Sequence, residues 1–281
     1  MADLPRAAGK AVGAALGAVA RVRGGKPMHP RGAVFSAVLE RSGNGAEDGE
    51  TWGVPWLDAV TTDAAVVRLS RGAGLPAPLP DVLGLAIRLP TGPAGPIDLL
   101  LSSTGRGRVT RLVPVLRRDA AAFYSSVMGY RSDAGSLRIA ALPEAVGVPS
   151  DPGPLANAVS RQGLIFRLAA ARGAGPWLPF GRLVLGEAAE PLDPDLRFDA
   201  VLNPPPGLVP DGPMARFRAP AYARARAASS AECRASASSD GVVTDSVQGA
   251  PGRSDMIASK PVGRSPNPSS GTVRAGQCST A

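Results

Sequence analysis

The sequence predicts an α+β fold: an antiparallel β-barrel with flanking helices, followed by a C-terminal tail without a fold of its own. Short stretches of strand character recur at near-regular spacing with few helical patterns between them, as in barrels and sandwiches. Gly (34) and Pro (29) are frequent and aromatic residues make up only 4%, so the chain turns often and draws its interior from Ala, Val and Leu. Hydrophobic periodicity then stops beyond Arg226, where Ser, Ala, Gly, Pro and Thr prevail. Such a stretch buries too little apolar surface to offset its ordering entropy.

The expected organisation is a helix over 1–25, a barrel domain over 26–226 and a disordered tail over 227–281. In the first segment Leu4, Ala8, Val12, Ala15, Leu16 and Val19 recur at helical spacing. Arg21, Arg23 and Lys26 suit the negative end of the helix dipole, and Gly24-Gly25 stops the helix. Arg6 and Lys10 interrupt it, so it does not read as a secretory signal, and its alanine-rich face predicts packing on the domain rather than on a membrane surface. Ala33 to Leu39 reads as a strand, and Ser42 to Glu50 as an acidic, Gly-rich loop. Ala64 to Ser70 is a second strand, closed by the Gly/Pro cluster from Gly72 to Pro80. Leu83 to Leu89 and Ile97 to Ser102 flank Thr91-Gly92-Pro93-Ala94-Gly95 and read as a hairpin. Arg108 to Leu116 is a further expected strand. Asp119 is placed to cap a helix reaching Tyr130, with Phe123, Val127 and Tyr130 on one face. Leu137 to Leu142, Leu164 to Ala170 and Arg182 to Gly186 complete the strands, before a proline-dense turn at Pro204 to Gly207 and a closing segment from Asp211 to Arg226. The tail reads either as a disordered extension or as the product of a reading-frame change near Ala227.

Composition narrows the chemistry. The formal charge of +8 comes from arginines spread through the chain, with no basic run interleaved with aromatics, so a nucleic-acid partner is not expected. Both cysteines, Cys233 and Cys278, lie in the tail, which leaves the barrel without a disulfide framework or a thiolate metal site and fits a cytoplasmic location. No apolar run is long enough to span a bilayer. A single histidine, His29, excludes a His-rich metal cluster, and Asp58, Asp63, Asp81 and Asp98 show no paired spacing for two-metal chemistry. Dinucleotide and phosphate-loop fingerprints are missing, and no Gly-x-Ser-x-Gly elbow supports a triad built on His29, although such a triad stays open.

Lys26-Pro27-Met28-His29-Pro30-Arg31-Gly32-Ala33 resembles the catalase segment in which the distal histidine precedes the first barrel strand. Val66-Val67-Arg68-Leu69-Ser70, Gly84-Leu85-Ala86-Ile87-Arg88 and Asp98 to Thr104 are similar to successive barrel strands of that family. Leu196-Arg197-Phe198-Asp199, Pro206-Gly207-Leu208 and Arg218-Ala219-Pro220-Ala221-Tyr222 resemble its approach to the proximal helix. The resemblance spans Lys26 to Arg226, and the shared order of the motifs carries it.

What the resemblance implies is a short, divergent catalase-like barrel that binds haem b and acts on hydrogen peroxide or organic peroxides. Tyr222 would ligate the haem iron as a phenolate, stabilised by Arg218 one helical turn away. His29 would be the distal acid-base group, oriented by Ser70, and Ser102 stands where the family has its distal amide. Arg68 and Lys26 stand where the family places cations for the haem propionates, Lys26 in place of an arginine. Two alternatives accompany this reading: a degenerate, haem-free member acting as a binding module, and a hydrolase of the kind labelled phosphodiesterase. Oligomeric state is not readable from the sequence.

Overall fold

The computed structural model describes residues 29–43, 51–93, 95–212 and residue 216. By its internal contacts the chain separates into Met1–Arg224 and Ala225–Ala281, and every described residue belongs to the first unit. The expected helix over 1–25 and the expected tail over 227–281 lie outside the described residues.

Long antiparallel strands dominate: β1 (Arg31–Ser42), β2 (Val60–Arg71), β3 (Asp81–Gly92) and β4 (Gly95–Ser103). After them come the short β5 (Leu116–Arg117), β6 (Tyr124–Ser125) and β7 (Gly129–Ser132), then β8 (Gly135–Pro143), β9 (Ile165–Arg172), β10 (Leu178–Ala188) and β11 (Val209–Asp211). Neighbours pair in the order β1, β2, β3, β4, β6, β8, β9, β10, and β10 returns to β1, so eight strands close on themselves. Closure leaves no open edge in this set, which removes unpaired backbone donors and acceptors from the barrel wall.

Strand alternation sorts residues between the two faces. Phe35, Leu39, Val67, Leu69, Leu85, Ile87, Leu99, Leu101, Ile139, Phe166, Leu168 and Leu183 are buried and fill the interior. Tyr124 joins them, meeting Phe166 edge-on with ring centroids 5.8 Å apart and donating its hydroxyl to Ala120 O at 2.8 Å. One end of the barrel is covered by Trp52, Val54 and the short helix α1 (Pro55–Asp58), whose Asp58 carboxylate accepts the N–H groups of Trp52 and Val54 at 2.6 and 3.0 Å. Near the other end the guanidinium of fully buried Arg71 donates to Leu75 O, Leu79 O and Ser150 Oγ.

The strands over Ala33–Leu39, Ala64–Ser70, Leu137–Leu142, Leu164–Ala170 and Arg182–Gly186, and the hairpin of β3 with β4, are present and mostly longer than expected. The helix expected from Asp119 to Tyr130 is not. Residues 120–128 are all buried and contain β6, so the spacing of Phe123, Val127 and Tyr130 marks no single apolar face. Asp119 instead closes a loop, accepting Ala121 N, Gly147 N and Val148 N at 2.7–2.9 Å. Residues 108–116 form no continuous strand either. Gly107 N donates to Thr110 Oγ1 at 2.9 Å and Gly105 N to Thr110 O at 3.1 Å, and this local turn bonding wins over extended pairing. A helix the sequence reading missed, α2 (Pro152–Gln162), follows Asp151 and ends at Gly163 with φ 71°. With helices of only 4 and 11 residues among the described residues, the α+β expectation gives way to a mostly β fold. No described helix is long and apolar enough to cross a membrane.

The segment after β10 crosses the outer face of β1 to β4. Val34 N donates to Leu192 O and Ala189 N to Val34 O, both at 2.8 Å, which starts the crossing at β1. Arg68 on β2 grips Asp193 with Nε and Nη2 at 2.7 and 2.8 Å. On β3, Arg88 donates to both oxygens of Asp98 at 2.7 and 2.8 Å, and its ring contact with Phe198 is 4.9 Å. Asp98 is fully buried and also accepts Asp199 N and Asn203 Nδ2, both at 2.9 Å. A buried carboxylate with four donors is stable only while all remain. Asp98→Ala should therefore lower stability by roughly 3 kcal/mol, read as a fall in denaturant midpoint, because it strands Arg88 as well as freeing the crossing segment. The double replacement Asp98→Leu with Arg88→Met should recover part of that loss.

Tyr124 gives the barrel a pH limit. Burial, and secondarily the charge of Asp119, push its phenol above the ordinary tyrosine value. A group raised in the folded state contributes stability below its unfolded value and loses it as the pH climbs beyond, so stability should decline above about pH 10. In denaturation profiles taken across that range, Tyr124→Phe should show a shallower decline.

Candidate functional site

The strand registers line up a row of small residues on the outer face. Gly32 is opposite Ser70, Ser70 opposite Gly84, Gly84 opposite Ser102, and Ser102 opposite Ser125. Each is out of phase with the apolar interior set, so the row forms a shallow floor beside the crossing segment.

His29 stands on this floor just before β1. Its backbone has φ 56°, in the left-handed region that costs a non-glycine residue about 1–2 kcal/mol. Main-chain and side-chain bonds hold it there. His29 N donates to Gly72 O at 2.8 Å, and Arg68 Nη2 donates to His29 O at 2.9 Å. The ring nitrogen Nδ1 is 2.9 Å from Ser70 Oγ. The ring lies against Gly84: a Cβ there would sit 2.6 Å from His29 Cε1, 2.8 Å from Nδ1 and 2.9 Å from Ser70 Oγ. Only glycine leaves room for this imidazole. Gly32 makes similar room for the Arg68 guanidinium, since a Cβ on it would come within 2.7 Å of Arg68 Nη2.

Four of the sequence-predicted site residues are thus placed. Ser70 and Arg68 both contact His29, and Ser102 lies in the same row as Ser70, one strand beyond Gly84. Lys26, Arg218 and Tyr222 lie outside the described residues. Gly84 and Asp193 belong to the constellation and were not singled out from the sequence. An isolated glycine inside a strand pattern signals a close approach, and that signal was present in Val82-Leu83-Gly84-Leu85. Asp193 gave no signal, because its partner is 125 residues away.

The arrangement can hold an imidazole in one orientation and engage its Nδ1 with a hydroxyl. The row presents a floor without bulky side chains, an oriented imidazole and a second hydroxyl at Ser102, groups that a distal haem face would use. Arg68 does not fit the propionate cation expected of it, since Asp193 already occupies its fork. Among the described residues no group of three or more His, Cys, Asp or Glu side chains is placed to hold a metal ion.

The fold is similar to those of solved catalases. A fungal catalase matches at 12% identity and a TM-score of 0.46, covering 73% of this chain and 60% of that one. A bacterial catalase matches at 12% identity and a TM-score of 0.46, over 73% and 59%. Catalase A from Saccharomyces cerevisiae matches at 10% identity and a TM-score of 0.46, over 73% and 62%. The match extends over about three fifths of the length of those catalases. No family model and no curated protein matches the chain.

Because the chain has a single histidine, its ring can be followed without interference. In nitrogen-15 NMR the Nδ1 signal of His29 should move in Ser70→Ala, and both ring signals should move in Gly84→Ala, which pushes the imidazole off the floor. Unchanged signals in both variants would contradict the clamp described here.

Proposed function

We propose that the outer-face floor is the distal side of a haem b site and that the protein carries out peroxide chemistry there, on hydrogen peroxide or organic peroxides. The observation that carries this reading is the strained, clamped imidazole of His29. Backbone strain of this kind persists only where the surroundings over-determine it, and it concentrates at functional positions.

When bound, a haem supplies the redox-active iron that O–O cleavage requires. The chain's own part is proton handling and positioning. With Nδ1 engaged by Ser70, His29 exchanges protons at Nε2, taking one from the nearer peroxide oxygen and returning it to the departing one. Ser102 offers a hydroxyl to the same space, shorter in reach than an amide. Arg68 acts on His29 rather than on a propionate: it fixes the histidine carbonyl while Asp193 balances its charge. Tyr222 is proposed as the iron ligand and Arg218 as the cation that keeps it ionised, with Lys26 left as the propionate cation.

The engagement of Arg68 by Asp193 also favours a second reading, in which the barrel has lost its cofactor and serves as a binding module. One preparation separates the two. Protein from haem-supplemented cells should be coloured, with a Soret band that weakens in Tyr222→Phe. His29→Ala should keep the band while peroxide consumption falls by about 100-fold or more, the range expected for losing a general acid-base group. A colourless, iron-free product would leave only the binding module.

A further inference from the structure

A second polar cluster lies further along the outer face. Arg111, in the turn Thr110–Leu112, is only 3% exposed; its Nε and Nη2 donate to Gly107 O and Gly175 O at 3.2 and 3.0 Å, while its buried Nη1 has no partner. Its guanidinium lies on the Trp177 ring, 4.4 Å from the centroid, and Ser125 Oγ donates to its carbonyl at 2.8 Å. Arg138 on β8 donates Nη1 to Gly173 O at 3.3 Å, and its Nε is likewise buried and unpartnered. Arg106 and Arg108 are exposed on the preceding loop, Arg106 with its guanidinium 5.6 Å from the Phe123 centroid.

None of these four arginines has a carboxylate within ion-pair distance among the described residues, in contrast to Arg68 and Arg88. Burial and the charges of Arg138 and Arg108 lower the Arg111 pKa, in that order of size. A buried guanidinium that faces other cations and keeps an unsatisfied N–H costs free energy unless an anion completes it.

We propose that Arg111, Arg138 and Arg108 form a binding site for a phosphate group. Two unsatisfied N–H donors and several uncompensated positive charges match a multivalent oxyanion better than a single carboxylate, and guanidinium forks suit phosphate oxygens. Val109, Leu112 and Val113 are exposed beside the cluster, so the phosphate can belong to a soluble ester or to an anionic lipid headgroup.

The test uses the full chain and two sources of phosphate. Inorganic phosphate, titrated at constant ionic strength against chloride, should raise the melting temperature in a saturable way. Vesicles of phosphatidic acid, compared with phosphatidylcholine alone, report the lipid source by co-sedimentation. In whichever arm binds, Arg138→Gln and Arg108→Gln should each weaken binding by about tenfold, the worth of a charge-assisted hydrogen bond. Arg111→Met should abolish the response while leaving the phosphate-free protein as stable as before or more so, because it removes an unpaired buried charge. Absence of binding in both arms would overturn the proposal, and so would binding that ignores Arg138→Gln and Arg108→Gln, since it would then lie elsewhere on a basic chain.

Discussion

The grip of Arg68 on Asp193 joins three parts of the chain that have no sequence proximity. Its stem rises from β2, its fork holds the segment after β10, and its remaining bond fixes the carbonyl of His29. Without Asp193, the guanidinium would be a buried cation with no counter-charge. With it, the local charge is balanced and the arginine becomes a rigid bracket. The floor of small residues depends on that bracket, because Gly32 and Gly84 create space and Arg68 and His29 fill it in defined positions.

Arginine has two distinct uses on this barrel. Arg41, Arg68 and Arg88 each face an aspartate, at 2.8, 2.7 and 2.7 Å, and each ties loops or strands to the wall. Among the described residues, Arg111 and Arg138 have backbone carbonyls as hydrogen-bond partners, and Arg111 also lies on the Trp177 ring. Carbonyl bonds and ring stacking position a guanidinium well but leave its charge uncompensated. The first set therefore builds the fold, and the second is where the phosphate site is proposed. A count of arginines in the sequence does not distinguish these uses, which is why the basic balance reads there only as arginines spread through the chain.

Much of the barrel was readable because its strands are local events: Val66-Val67-Arg68-Leu69-Ser70 or Leu164 to Ala170 carry strand character within their own few residues. The failures fall where context decides. Residues 120–128 are all buried, so their polar-apolar pattern has no face to report, and Ser125 and Ser126 are fully buried with their hydroxyls bonded to Arg111 O and Met128 O. The turn at Gly105 to Thr110 follows from a single hydroxyl bond that no hydrophobic periodicity encodes. α2 does carry local signals, Asp151-Pro152 at the start and Gly163 at the end, within a stretch otherwise poor in large apolar residues. In the candidate site, His29, Ser70 and Ser102 came from ordered motifs, whereas Asp193 becomes visible only when a segment 125 residues beyond Arg68 is laid across the wall.

The left-handed backbone of His29 bears on how the site can have persisted. Glycine at that position would relieve the strain, and another side chain there would carry a backbone cost without gaining the Ser70 contact. The surroundings are specific to the imidazole: a serine at hydrogen-bonding distance from Nδ1, a glycine under the ring, and an arginine whose charge is already neutralised so that it does not oppose the ring. These features are contributed by β2, β3 and the crossing segment, each of which could close the barrel with other residues at those positions. Their convergence on one ring is therefore not a requirement of folding, and the role proposed for His29 would account for the cost it carries.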